Sequence, residues 1–248
     1  MKNKILKILF IVLYRLLFFP IFVLVLPYYF FRMLKRGGYK TCFFHRFGFV
    51  PKNTYENIIW IQAVSVGELE AIKPFLEILK SKKIPVYLTT TTSTGFQVAH
   101  QKYSQLVNNI AYFPLDFWLF SKIAWERIHP TRAILMESEL WPEHLRQAQV
   151  HNVPLYIING RCSDKTFQRY YWFLPIAKIL FGYVSKIFSA SNLDTERFKQ
   201  LCPNSTNIET FGNLKVDAAL QHLSQSTSSI QRSDIGKSWE NAIIILGA

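Results

Sequence analysis

Residues 58–68 read Ile58-Ile-Trp-Ile-Gln-Ala-Val-Ser-Val-Gly-Glu68, an apolar run that breaks at a small polar turn and sets one carboxylate at a helix start. Residues 58–64 have the composition of a buried strand. Leu69, Ile72, Phe75, Leu76 and Leu79 then recur at helical spacing, so Ser65 to Glu68 is the crossover from strand to helix. In α/β enzymes this turn lies at the carboxyl edge of the sheet, where the chemistry is kept.

Working outward, the same alternation repeats. Apolar runs at 58–64, 84–90, 109–113, 132–137, 154–159 and 186–190 read as strands, and amphipathic stretches near 67–82, 95–107, 117–128, 142–151, 164–183 and 193–202 read as helices. Short connections between them suit right-handed crossovers. The predicted class is α/β, a Rossmann-like parallel sheet with helices on both faces. Beyond Asp217 the composition turns to Ser and Gln, so residues 221–240 read as a linker, and Ala242 to Ala248 as the first strand of a second unit.

Charge is unevenly placed. The net charge is +13, and nine basic residues with no acidic one lie in residues 1–50: Lys2, Lys4, Lys7, Arg15, Arg32, Lys35, Arg36, Lys40 and Arg46. They flank Ile8 to Phe31, whose only charge is Arg15, so the partner implied is an anionic membrane surface and no nucleic acid. Residues 1–40 are expected to form a membrane-anchor helix with its basic flank. Its depth stays open, because a span needs roughly 20 apolar residues, while Arg15 is costly at mid-bilayer and Pro20 and Pro27 interrupt the helix. No small-residue cleavage site follows the apolar run, and the positive-inside rule keeps the flank cytoplasmic. Cys42, Cys162 and Cys202 lack disulfide or metal spacing, which suits a reducing compartment.

Five polar motifs fall at the carboxyl ends of successive strands. Ser65-Val-Gly-Glu68 fits a capping box, in which Ser and Glu satisfy each other's backbone donors. It equally fits a general base, Glu68, with Gly67 letting a substrate approach the backbone. A helix amino terminus would keep that carboxylate ionised and weaken it as a base. Thr89 to Gly95 gathers hydroxyls and backbone donors, with Thr94 and Gly95 suited to a phosphate or sugar, or merely to capping. Glu137 and Glu139 stand two apart, on one face if the strand persists that far, and would repel unless a cation or shared proton intervenes. Pro142 is placed for a helix start. Asn159-Gly160-Arg161 and Gly212-Asn213-Leu214-Lys215 each put a glycine and a cation after an extended run, able to meet an anion or pair with the glutamates.

Other motifs fail. Gly236-Lys237-Ser238 lacks the rest of a P-loop, no Gly-x-Gly-x-x-Gly follows the first strand, and no histidine shares a metal-binding spacing, so neither metal nor cofactor is expected.

Taken in order, the anchor, His45-Arg46-Phe47-Gly48, Ser65 to Glu68, Thr94-Gly95, Met136-Glu-Ser-Glu-Leu-Trp-Pro142, Asn159-Gly-Arg161 and Gly212-Asn-Leu-Lys215 resemble the 3-deoxy-D-manno-octulosonic acid (Kdo) transferase family of lipopolysaccharide assembly. The resemblance implies the amino-terminal half of a GT-B glycosyltransferase, with residues 41–220 as the domain that holds a lipid A precursor and the donor CMP-Kdo bound largely by a second domain. It further implies inversion without a metal, Glu68 as the base, and Glu137 or Glu139 as a second important acid. Arg46, Arg161 and Lys215 would contact phosphates or the Kdo carboxylate, by charge and edge position. Localisation would be the inner membrane, with the globular domain on the cytoplasmic face. A chain ending at Ala248 would lack most of the donor domain, so a noncatalytic lipid-A-precursor binding module, or a relative using another sugar nucleotide, stands as the alternative.

Overall fold

The strand that begins the sheet, β1 (Ile59–Gln62), is buried along its whole length and pairs in parallel on both sides, with β2 (Val86–Thr90) and with β4 (Arg132–Met136). The computed structural model describes residues 2–36 and 42–214. Around β1 the sheet has seven strands in the order β3-β2-β1-β4-β5-β6-β7, with β3 at Asn109–Tyr112, β5 at Leu155–Gly160, β6 at Lys186–Ser189 and β7 at Asn207–Thr210. Every pairing is parallel.

Two apolar layers follow from the alternation of side chains along each strand. Ile59, Ile61, Leu88, Ile134 and Met136 pack under α2 (Val66–Ser81) and α3 (Ser93–Val98). Trp60, Tyr87, Leu135 and Ile157 point the other way, under α4 (Trp118–Ile128), α5 (Pro142–Val150), α7 (Leu174–Phe181) and α8 (Asn192–Leu201). The fold is therefore the expected Rossmann-like parallel sheet with helices on both faces.

Three local differences have physical causes. The helix expected over 164–183 is two helices, α6 (Asp164–Trp172) and α7, because Pro175 cannot continue the first helix and stands in the opening turn of the second. α3 is only a short α-helix and runs into a π turn over Ala99–Tyr103. The run before Gly212 is a full seventh strand at the sheet edge, where Gly212 takes a φ of 109° to turn the chain.

Ahead of the sheet, α1 (Lys2–Arg36) carries the apolar stretch Leu6–Tyr28, long and apolar enough to cross a membrane and 6% buried. It is not a free tether. Arg15 holds both carboxylate oxygens of the buried Glu143, from Nε at 2.5 Å and Nη2 at 3.1 Å, and the Tyr14 hydroxyl donates to Asp116 at 2.7 Å. Asp116 in turn accepts from the backbone N–H groups of Glu143 and His144, so it caps α5 from a distant loop. Residues 37–40 of the basic flank, the 221–240 linker and the 241–248 strand lie outside the described residues.

His45-Arg46-Phe47-Gly48 forms a 3₁₀ turn, Phe43–Phe47, closed by Gly48 at φ 86°. A Cβ on Gly48 would lie 2.3 Å from the Phe120 carbonyl oxygen. Gly48→Ala is therefore predicted to cost about 3 kcal/mol, combining positive-φ strain with overpacking, read as a loss in denaturant midpoint; an unchanged midpoint would show that this turn does not seat α4.

Candidate active site

In an open parallel sheet the crevice forms where the strand order reverses, because the crossovers on either side leave to opposite faces. Here the reversal is between β1 and β4. The segment after β1 supplies Ser65, Gly67 and Glu68, and the segment after β4 supplies Glu137 and Glu139.

Ser65 is the N-cap of α2, and its Oγ accepts from the Glu68 N–H at 3.4 Å. The Glu68 carboxylate folds back, accepting from the Val64 N–H at 2.8 Å and from the Ser65 hydroxyl at 3.1 Å. This is the capping box, reaching one residue further back than the usual N-cap amide. The cap and a poised carboxylate are one arrangement. Burial raises the Glu68 pKa above its ordinary value, against the lowering by the Val64 N–H and the Ser65 hydroxyl, and the charges of Glu137 and Glu139 add to the rise. The expectation that a helix terminus keeps this group a weak base thus meets a larger opposing effect.

Glu137 does not extend β4. The strand ends at Met136, and Glu137 turns with φ 59°, a left-handed backbone that costs a non-glycine residue energy and recurs at functional sites. Glu137 and Glu139 therefore do not share a strand face: a turn, not a strand, brings both near Glu68. Both are half-buried, and burial raises the pKa of Glu139, with Trp141 opposing and Glu137 assisting.

The neighbouring loops are tied to this crevice. Thr92, not Thr94, caps α3, accepting from Gly95 N–H at 3.0 Å while its hydroxyl donates to Val64 O at 3.3 Å. Thr94 is exposed beside it. Ser138 donates to the Arg161 carbonyl at 2.5 Å, joining the loops after β4 and β5, and leaves the Arg161 side chain exposed at that edge. Asn159, at φ 53° beside a bulge in β5, accepts from Leu214 N–H at 3.2 Å and fixes the turn after β7. Lys215 lies outside the described residues.

Arg46 lies at the expected sheet edge but is turned inward. It is 4% exposed, donates to the Phe113 carbonyl at 2.9 Å and to the Thr91 carbonyl, and lies over the Tyr112 ring. Its guanidinium braces the ends of β2 and β3 from within. His45 beside it is held neutral, its pKa pushed down to about 4 by burial and by nearby His100 and Arg46. Sequence reasoning quoted Thr92, Ser138 and Asn159 within their motifs but gave none of them a role of its own. Thr92 stands three residues before Gly95, which is cap spacing, and Asn before Gly at a strand end is a left-handed signal; nothing marked Ser138. Among the described residues, no group of three or more His, Cys, Asp or Glu is placed to hold a metal ion.

Residues 41–218 match the family model for 3-deoxy-D-manno-octulosonic-acid transferase (kdotransferase). The chain belongs to this family. Similar proteins include the 3-deoxy-D-manno-octulosonic acid transferase of Chlamydia pneumoniae, 26% identical over 92% of this chain and 53% of that protein. The probable mitochondrial 3-deoxy-D-manno-octulosonic acid transferase of Arabidopsis thaliana is 32% identical over 69% and 39%. This Kdo transferase family chain thus spans about half the length of its relatives, or less. Among solved structures, the UDP-GlcNAc 2-epimerase of Neisseria meningitidis bound to UDP-GlcNAc is similar at a TM-score of 0.43 and 13% identity, covering 71% of this chain and 55% of that one.

The two site glycines differ in kind. A Cβ on Gly67 would meet only Ser65 Oγ at 4.0 Å, whereas one on Gly95 would lie 2.8 Å from Thr92 Oγ1. Gly67→Ala is predicted to leave stability unchanged or raise it by up to about 1 kcal/mol. Gly95→Ala, by displacing a cap, is predicted to lower it by about 1 kcal/mol. Thermal melts of the two variants check this, and equal losses would contradict it.

Proposed function

We propose that this chain is the acceptor-side part of an inverting, membrane-associated glycosyltransferase that moves Kdo from CMP-Kdo to a lipid A precursor (lipid IVA) in lipopolysaccharide assembly. Family membership supports the donor and acceptor classes. The observation that carries the mechanism is the Glu68 carboxylate, buried at the strand-order reversal with its pKa raised and with open space beside Gly67.

In this reading an acceptor hydroxyl rests above Gly67 and gives its proton to Glu68. The oxygen bonds to the anomeric carbon of Kdo on the face opposite the phosphate, the bond from that carbon to the phosphate oxygen breaks, and CMP leaves with the electron pair. Two roles are joined in Glu68: Val64 and Ser65 hold it in place, and burial makes it a stronger base than a solvated carboxylate. Glu137 and Glu139 raise its basicity further by repulsion and line the same crevice. Arg161 and Lys215 remain the candidates for anionic groups of either substrate. The apolar Leu6–Tyr28 stretch and its basic flanks would hold the domain at the inner membrane, on the cytoplasmic face where a nucleotide-activated donor is available.

Two outcomes test the reading in the full-length protein. Glu68→Gln keeps an acceptor for the Val64 N–H and so is expected to fold, while kcat for Kdo transfer falls by about 10²–10⁴; a normal rate would leave Glu68 as a cap alone. The base must be ionised, so kcat/KM should rise with pH through an acid limb displaced above the ordinary carboxylate range. Glu139→Gln removes a repelling charge and should move that limb to lower pH; a limb that stays or moves upward contradicts the coupling.

A further inference from the structure

The contacts of α1 with the globular domain bear on how the anchor meets the bilayer. Its inward face uses Lys7, Phe10, Ile11, Tyr14, Arg15 and Phe18, a helical stripe that runs for about 16 Å at 1.5 Å per residue. Lys7 sits over the Tyr183 ring at 4.4 Å, Phe10 packs against the core cluster on this face of the sheet, and Ile11 is buried. Tyr14 and Arg15 hold Asp116 and Glu143, and Phe18 stacks on Phe117 at 6.0 Å. The opposite face, Leu9, Leu13, Leu16, Leu17 and Leu24, is exposed throughout.

Beyond Phe18 the helix leaves the domain, with Phe19, Ile21, Val23, Leu24, Val25, Leu26, Tyr28 and Phe31 all exposed, and the chain meets the same place again after it. The turn that follows at Phe43–Phe47 packs Phe47 against Phe120 at 5.0 Å, and Phe120 lies 5.0 Å from Phe117. A helix that crosses a bilayer separates its flanks by about 30 Å of hydrocarbon. Here Lys7–Phe18 and the Phe43–Phe47 turn, on either side of the exposed apolar residues, are both fastened to one domain. Arg15 marks the same conclusion: its partner is the fully buried Glu143, which also binds Arg146 at 3.0 Å, so the charge is neutralised at the protein surface rather than carried to mid-bilayer.

We propose that α1 lies along the bilayer surface within a single leaflet, its latched face on the domain and its leucine face in the acyl layer, so that both of its ends stay on the domain's side. The occupant of that leucine face is lipid, argued from the mean hydropathy of 2.7 over the whole Leu6–Tyr28 stretch and from the basic residues that flank it in the sequence. This rests on the membrane reading given under Proposed function and specifies its geometry. The consequence for that function is orientation: a rigid latch fixes the crevice at one height and angle to the lipid surface, which a swivelling tether would not do.

Single-cysteine sidedness tests it. In the full-length protein with Cys42→Ser, the buried Cys162 and Cys202 are silent, and Asn3→Cys is compared with Lys82→Cys on the exposed end of α2. A membrane-impermeant maleimide is applied to right-side-out and to inverted membrane vesicles. Labelling of both cysteines in the same vesicle orientation supports the proposal. Labelling of Asn3→Cys in the opposite orientation from Lys82→Cys overturns it while leaving membrane association intact. Release of the unaltered protein by alkaline carbonate would overturn the membrane reading and this placement together.

Discussion

The reversal of winding between β1 and β4 is the constraint on which the rest of this structure depends. Right-handed crossovers send α2 and α3 to one face and the helices after β4 to the other, so no connection covers the gap between these two strand ends. Whatever the chain places there is held by rigid strands yet open to a ligand. It places three glutamates there. The charges of Glu137 and Glu139 act on Glu68 across this crevice and push its pKa upward.

In the proposed reading, Glu68 joins structure and chemistry in one side chain. As a cap it satisfies the Val64 N–H and takes the Ser65 hydroxyl, which fixes its rotamer. These same bonds favour the charged form, and alone they would make the carboxylate a poor base. Burial and the two neighbouring glutamates act in the other direction and outweigh them. A group both pinned and driven toward protonation suits proton abstraction better than either property alone. The loops around it are secured by side chains rather than by their own regularity: Thr92 to Val64, Ser138 to Arg161, Asn159 to Leu214.

Much of this was legible in the amino-acid order. The six apolar runs are strands because strands buried on both faces have no polar period to hide, and Pro142 opens its helix as its fixed φ requires. β7 escaped the strand list because an edge strand such as Asn207–Thr210 is largely exposed and needs no apolar run. The inward placing of Arg46 was hidden for a different reason. A cation near a sheet edge has the same spacing whether it faces a substrate or its own backbone carbonyls, and only burial separates the two. Glu137 and Glu139 were paired by strand periodicity, whereas a left-handed turn at Glu137 sets their positions. The latch on α1 had no signal in the sequence, since Tyr14 and Arg15 find Asp116 and Glu143 more than a hundred residues away.

The central claim is that burial and acidic neighbours outweigh the helix terminus at Glu68. Isotope-edited infrared titration of the Glu68 carboxyl in the full-length protein, with Glu68→Gln to assign the band, measures this balance directly. The account predicts protonation at a pH above the ordinary carboxylate range. Protonation at or below that range would mean that the cap controls the charge, and the case for a strengthened base at this crevice would be contradicted.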